Sequence, residues 1–307
     1  MSAALRVLAP AIVALLGLVS PLAAVDGVIE INQAKALAGG VTASDTAGFP
    51  VTIGTAGSYR LTGNLTVSDA NTTAIFINVT NVSVTVDLNG FAILGPVVCT
   101  GTPVTSCSPT GNGRGIEAAG SVVIRNGIIR GMGERGILIS QNGSRVESVQ
   151  VLHNAGAGIG APSHATVRDS VAELNGGAGI QVGVGSIVSG CVARHNGDIG
   201  IKVAGDGVVS HSDAYRNGSH GISVGNGSTV IGNSANFNTA SGIFALAGST
   251  VLDNAARSNT SFGVMLSAGV GYARNALYNN NGGNTNPQAN GGVEIGTNVC
   301  GTTTDCP

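Results

Sequence analysis

The chain has 307 residues, a formal net charge of −2 and a pI near 6.2, and its only lysines are Lys35 and Lys202; it lacks the basic footprint that a nucleic-acid-binding surface requires. It contains 49 Gly, no Trp, 3% aromatic and 10% charged residues, against a charged share of about 25% in ordinary globular domains. This composition excludes a core built on large aromatics and suits a stacked core of Val, Ile and Ala with Gly, Asn and Ser at turns.

Residues 1–24 carry a single Arg, an apolar run from Val7 to Val19 and small residues at Ala23 and Ala24. This is the pattern of a signal peptide cleaved near Ala24, too short before polar chain to be a span. The mature chain is therefore expected to be secreted, periplasmic or on the cell surface, with no transmembrane span. Residues 25–50 are predicted to cap the N-terminal end of the domain against edge pairing, with NQAKALAGG as a short helix.

From residue 51 to 296 a repeat organises the sequence. Gly followed by Ile or Val recurs at Gly115, Gly136, Gly158, Gly179, Gly200, Gly221, Gly242, Gly263 and Gly292, with steps of 21, 22, 21, 21, 21, 21, 21 and 29. Asn stands four residues before six of these glycines, from Asn154 to Asn259, and Asn280 keeps the step. The long last interval is thus expected to be an insertion of eight residues after Asn280. A Val column runs from Val146 to Val251 and continues at Tyr272, and an Ala column runs from Ala172 to Ala256. Stretches such as GIQV, GIKV and GISV alternate in polarity, so each copy holds short strands with one face buried. One coil cannot bury its inner face alone, whereas stacked coils share a core and pair their backbones about 4.8 Å apart. The predicted fold is all-β, a right-handed parallel β-helix with coils of about 21 residues. Asn233, Asn254 and Asn275 share a column with Ser170, Cys191 and Ser212, which makes Cys191 a buried thiol.

The 37-residue step between Asn89 and Asn126 holds an insertion of about 16 residues containing Cys99 and Cys107. Residues 297–307 form a tail containing Cys300 and Cys306. Neither spacing suits zinc, so two local disulfides, Cys99 to Cys107 and Cys300 to Cys306, are expected in an exported chain. No metal site and no cofactor are predicted.

An inward Asn at one turn with GIxV on the next strand resembles the pectin-lyase-like superfamily of right-handed β-helices. SYRLTGNLTV and TVDLNGFAILG look like the early coils of its secreted bacterial members, over a region from about Val51 to Gly296. The resemblance implies a ligand surface on the outer face of the GIxV sheet. The outward residues there should be Phe76, Glu117, Leu138, Gly160, Gln181, Lys202, Ser223, Phe244, Met265 and Glu294. Gln181, Lys202, Ser223 and Phe244 are the candidate ligand-binding residues, and a polysaccharide is the expected partner.

Catalysis finds fewer parts. Glu117 and Glu294 would lie eight coils, or about 38 Å, apart, whereas glycosidase carboxylates act roughly 5–10 Å apart. SHGISVG at Ser219–Gly225 resembles the GHGIS element of polygalacturonases, but the aspartate motifs that accompany it in that family are missing. The acidic cluster of pectate lyases and the Asp-Pro-His of alginate epimerases are missing too. Arg194, His195, Asp198, Lys202, Asp206, His211, Asp213, Arg216 and His220 form a polar band within two coils. Asp206, His211, Asp213 and His220 are its candidate acid–base groups; Glu173 and Arg194, one coil apart, are an expected ion pair. The leading expectation is a non-catalytic β-helix contacting polysaccharide or serving as a surface scaffold. The alternative is a divergent polysaccharide lyase or glycoside hydrolase.

Overall fold

A computed structural model describes residues 27–80, 82–304 and 306; the expected signal peptide lies outside the described residues. Each coil holds three short strands, as in Ile180–Val182, Ile187–Ser189 and Val192–Arg194. Each strand pairs in parallel with its counterpart one coil on: Ile180 with Ile201, Ile187 with Val208, Val192 with Asp213. The first strands stack into an 11-stranded front sheet, and the second and third strands belong to a 21-stranded sheet that wraps the remaining sides. In Val122–Arg130 and Arg145–Leu152 the second and third strands run on as one.

The alternation of side chains drives this winding. Ile180 and Val182 point inward and are at most 3% exposed, while Gln181 between them faces out, and Val188, Val209, Val230 and Val251 are fully buried. Burial on one face only is stable once neighbouring coils extend the same apolar column. The chain turns corners on single residues in the left-handed region. Asp169, Gly190, His211, Gly232, Asp253 and Arg274 make one column of such corners, with φ between 50° and 68°. Leu174, His195, Arg216, Phe237 and Ser258 make another, with φ between 50° and 58°.

A non-glycine residue in this conformation costs roughly 1–2 kcal/mol, and an inward ladder beside each corner offsets that cost. Next to the second corner column, the Asn196 amide donates to Asn217 Oδ1 at 3.0 Å and to Ala193's counterpart one coil earlier, the Ala172 carbonyl, at 2.9 Å. The same pattern runs from Asn154 to Asn280. Beside the first corner column, Asn233, Asn254 and Asn275 repeat it, after Ser170, Cys191 and Ser212. Cys191 is 1% exposed, and burial pushes its thiol up to about 11. The glycine column reflects close approach: a Cβ at Gly200 would stand 2.6 Å from the Gly221 carbonyl oxygen and from Asn217 Nδ2.

At the N-terminal end, strand Ile29–Ile31 pairs with Gly57–Leu61, and a helix, Gln33–Ala38, begins at Asn32, whose side chain accepts the Lys35 N–H at 3.0 Å. The insertion is an antiparallel hairpin, Val98–Thr100 with Ser106–Ser108, bridged by the Cys99–Cys107 disulfide. It lies over the flank of the stack: Val97, Cys99 and Val104 pack with Ala70 of an earlier coil and with Ala155 and Leu174 of later ones, and the Val104 N–H donates to the His195 carbonyl at 3.0 Å. A second disulfide joins Cys300 and Cys306.

The final coil departs from the expected register. Gln288, not Gly292, stands beside Gly263, because Val264 pairs with Ala289. From 263 to 288 is 25 residues, so the excess over a 21-residue coil is four rather than eight. Gln288 ends the asparagine ladder, accepting the Asn280 amide at 3.1 Å and its backbone N–H at 2.8 Å. Asn290 therefore takes the last outward place on the front sheet beside Met265. Glu294 instead pairs with Tyr272 on the wrapped sheet and accepts from the Asn298 amide at 2.7 Å. The Gly-Gly-Val at 291–293 imitates the repeat motif one strand too late.

Candidate functional site

The outer face of the front sheet combines shallow relief with two cationic side chains, Arg135 and Lys202. Arg135 lies in the turn before strand Ile137–Ile139, and its guanidinium extends over Gly160 on the next coil; a Cβ at Gly160 would come within 2.5 Å of Arg135 Nη1. The missing side chain at Gly160 is thus the seat of the arginine. Gln181 and Lys202 follow on adjacent coils as register partners. Together with Leu138 and Pro162 these residues line a groove of about 290 Å³. Lys202 is exposed and has no ion-pair partner among the described residues. Arg135 lies 3.7 Å from Glu134, whose carboxylate is engaged more closely by Arg114.

Toward the N-terminal end, Phe76 and Glu117 share a hollow of about 410 Å³ with Phe49 and Thr72. Glu117 is held at 2.8 Å by Arg114, which also holds Glu134 at 2.6 Å, so one guanidinium is shared between two carboxylates. Toward the other end, Ser223 and Phe244 are adjacent partners, and Phe244 stacks on His220 with ring centroids 5.1 Å apart and planes at 21°. Two predicted residues, one a candidate base and one a candidate binding residue, thereby form a single aromatic ledge.

The four candidate acid–base groups do not converge. Asp206 is exposed in the turn that follows strand Ile201–Val203, His211 occupies the corner between second and third strands, Asp213 faces out from strand Asp213–Tyr215, and His220 stands in the turn leading back to the front sheet. Only His211 and Asp213 share a hollow, a groove of about 610 Å³ floored by Gly190 and Gly232 and bordered by the Asp253–Arg274 ion pair at 2.7 Å. Burial raises the Asp213 carboxyl above the ordinary carboxylate range, opposed by a hydrogen bond from Ser234 and by Arg194.

Burial lowers His220 below the ordinary imidazole value. Its Nδ1 accepts the backbone N–H of Ser241 at 3.2 Å. The Ser241 hydroxyl is buried and has no hydrogen-bond partner among the described residues. The ring therefore meets the serine through its backbone, which is not the arrangement of an activated nucleophile. Among the described residues no three His, Cys, Asp or Glu side chains gather closely enough to hold a metal ion.

Arg194 pairs with Glu173 at 2.8 Å, and Arg168 with Glu147 at 2.7 Å, each across one coil step. Sequence reasoning missed Arg135, because it tracked outward strand positions and Arg135 precedes its strand. It also missed the aromatic character of the corner at Tyr215, Arg216, Phe237 and Arg257, where residues in different columns meet.

A family model described as a right handed beta helix region matches residues 51–207, just over half of the chain. No curated protein matches the chain in sequence. Among solved structures, the A-module of the mannuronan C-5 epimerase AlgE6 from Azotobacter vinelandii has a TM-score of 0.50 at 17% identity, covering 81% of each chain. The periplasmic alginate epimerase AlgG gives 0.53 at 14% identity, covering 81% of this chain and 76% of that one. A Geobacillus virus E2 protein, ORF18, gives 0.51 at 11% identity over 80% and 53%. At these identities the shared property is the fold. With a matching family model, three strands per coil and inward asparagine ladders at its corners, the chain belongs to the right-handed β-helix family.

Proposed function

We propose that this is an exported β-helix that binds an acidic polysaccharide along the outer face of its front sheet without cleaving it. The observation that carries the reading is the groove of Arg135, Gln181 and Lys202, which offers two cations and an amide side chain and has no carboxylate in its lining, the neighbouring Glu117 and Glu134 both being held by Arg114. A carboxylated sugar chain laid across the coils would find charge-assisted hydrogen bonds at the cations and a stacking ledge at His220 and Phe244. Two structural neighbours named as alginate or mannuronan epimerases have a related β-helix, which agrees with a uronate ligand. Two disulfides and the signal-like N-terminus support a periplasmic or extracellular location. No described helix is long and apolar enough to cross a membrane.

The second reading, a divergent lyase or hydrolase, draws on the His211–Asp213 groove with its raised carboxyl. One experiment separates the two. The mature protein is titrated with polyuronates and with neutral glucans, and each mixture, with and without calcium, is assayed for unsaturated products and new reducing ends. Salt-sensitive binding of polyuronate without products, weakened about tenfold or more by Arg135→Gln with Lys202→Gln, is the expected result. Equal binding of neutral polymer would overturn it. Turnover abolished by Asp213→Ala or His220→Ala would put an active site in the polar band instead.

A further inference from the structure

The corner between the third strands and the return turn carries a second feature that the front-sheet reading does not use. Phe237, a left-handed corner residue with φ 58°, lies between two arginines: Arg216 at 5.7 Å and Arg257 at 5.3 Å from the ring centroid. Arg216 also lies 5.3 Å from the Tyr215 ring, which meets Phe237 edge-on at 5.5 Å and His195 edge-on at 5.7 Å. The coil stacking builds this cluster, because Tyr215, Asn236 and Arg257 are successive register partners on the third strands and Arg216 and Phe237 are successive corners. Tyr278, half exposed, continues the row beside Arg257.

Two properties make the stripe more than packing. Among the third-strand arginines, Arg194 is paired with Glu173 one coil away, and Arg130, in the same column, lies four coils before Tyr215 and outside this aromatic row. Arg216 and Arg257 have no carboxylate within ion-pair distance among the described residues, and both are exposed. Cation–π contact holds each guanidinium near a ring and leaves its N–H groups free to receive an anion. The disulfide-bridged hairpin, bonded to the His195 carbonyl through Val104, ends beside the first ring of the row, so the stripe begins where the hairpin stops.

We infer that the stripe of Tyr215, Arg216, Phe237 and Arg257 is a second binding site for a carboxylated polysaccharide, separate from the front sheet. The two corners that bear Arg216 and Phe237 are one coil apart, and Arg257 lies one coil beyond Phe237, so the two guanidinium positions are about two strand spacings, or roughly 10 Å, apart. That separation suits carboxylates on alternate sugars of an extended uronate chain following the helix axis, with sugar faces against the aromatic edges. A molecule with sites on two faces would bridge polymer strands rather than only coat one.

The inference goes beyond the front-sheet reading, and the test keeps the two apart. Binding of a short oligouronate to the mature protein is measured by calorimetry for the wild type, for Arg216→Gln with Arg257→Gln, and for Arg135→Gln with Lys202→Gln. Of the four substituted positions, Arg216, Arg257 and Lys202 are exposed and Arg135 is half-buried, and thermal unfolding of each variant checks that the fold is kept. The expected result is two sites in the wild type and one in each double variant, together with loss of polymer cross-linking, read by light scattering, in both. One site in the wild type, untouched by Arg216→Gln with Arg257→Gln, would overturn the second site and leave the front sheet standing. A stoichiometry that responds only to Arg216→Gln with Arg257→Gln would keep the stripe and remove the front-sheet reading.

Discussion

Asn217 accepts the backbone N–H and the side-chain amide of Asn196 and donates its own amide to the Ala193 carbonyl and to Asn238 Oδ1, all between 2.9 and 3.2 Å. Each bond contributes only about 1 kcal/mol net, whereas a buried partner left unsatisfied costs about 1–3 kcal/mol. Asn217→Ala strands several such groups at once, so it is expected to destabilise the protein by about 3 kcal/mol or more, read by chemical denaturation. A loss under 1 kcal/mol would mean that the ladder contributes little. Asp213 illustrates the opposite sign. Its folded carboxyl is raised by burial, so the folded state holds its proton more tightly than the unfolded one. Its contribution therefore worsens as pH rises through the carboxylate range, and Asp213→Asn is expected to raise the unfolding temperature at neutral pH with the gain fading below about pH 4. A variant less stable than the parent at pH 7 would show that the Ser234 hydrogen bond outweighs burial.

At the scale of elements, the front sheet and its flanking turns make stability depend on pH. His220 is lowered by burial; the unfolded chain takes up a proton that the folded ring resists. Stability from this group is complete above the ordinary imidazole value, about 6.5, and falls as pH drops below it. His220→Gln is expected to flatten unfolding temperature between pH 7 and 5 relative to the parent, and an unchanged slope would remove His220 as the cause. These elements were legible in the sequence to unequal degrees. The Gly, Asn and Val columns recur at 21 because every coil meets the same neighbours, so strands, corners and the inward Cys191 could be read from spacing alone. Arg135 and the Tyr215–Arg257 stripe could not. Their partners come from different columns of adjacent coils, and a left-handed corner turns its side chain away from the alternation that a strand pattern follows. Gln288 escaped for a related reason, since it ends the asparagine ladder with a longer side chain at an irregular spacing.

The whole molecule is a one-dimensional stack, in which each coil is stabilised by its own core residues and by contact with two neighbours. Its two ends differ: helix Gln33–Ala38 and strand Ile29–Ile31 extend the first coils, while Val293, Ile295 and Val299 in the last coil are each more than half exposed. The weakest interfaces should therefore lie toward the C-terminal coils, and the central coils should hold the stack together. Val209 sits in that centre, fully buried and paired between Val188 and Val230. Val209→Asp would put an unpaired carboxylate into the shared core, a change expected to cost more than about 4 kcal/mol. In a stack this loss is local before it is global, because coils on either side still bury each other's faces. Unfolding of the variant should then split into two transitions, and hydrogen exchange should accelerate first in the coils adjoining residue 209. A single transition at the parent temperature would mean that the valine column does not face the core.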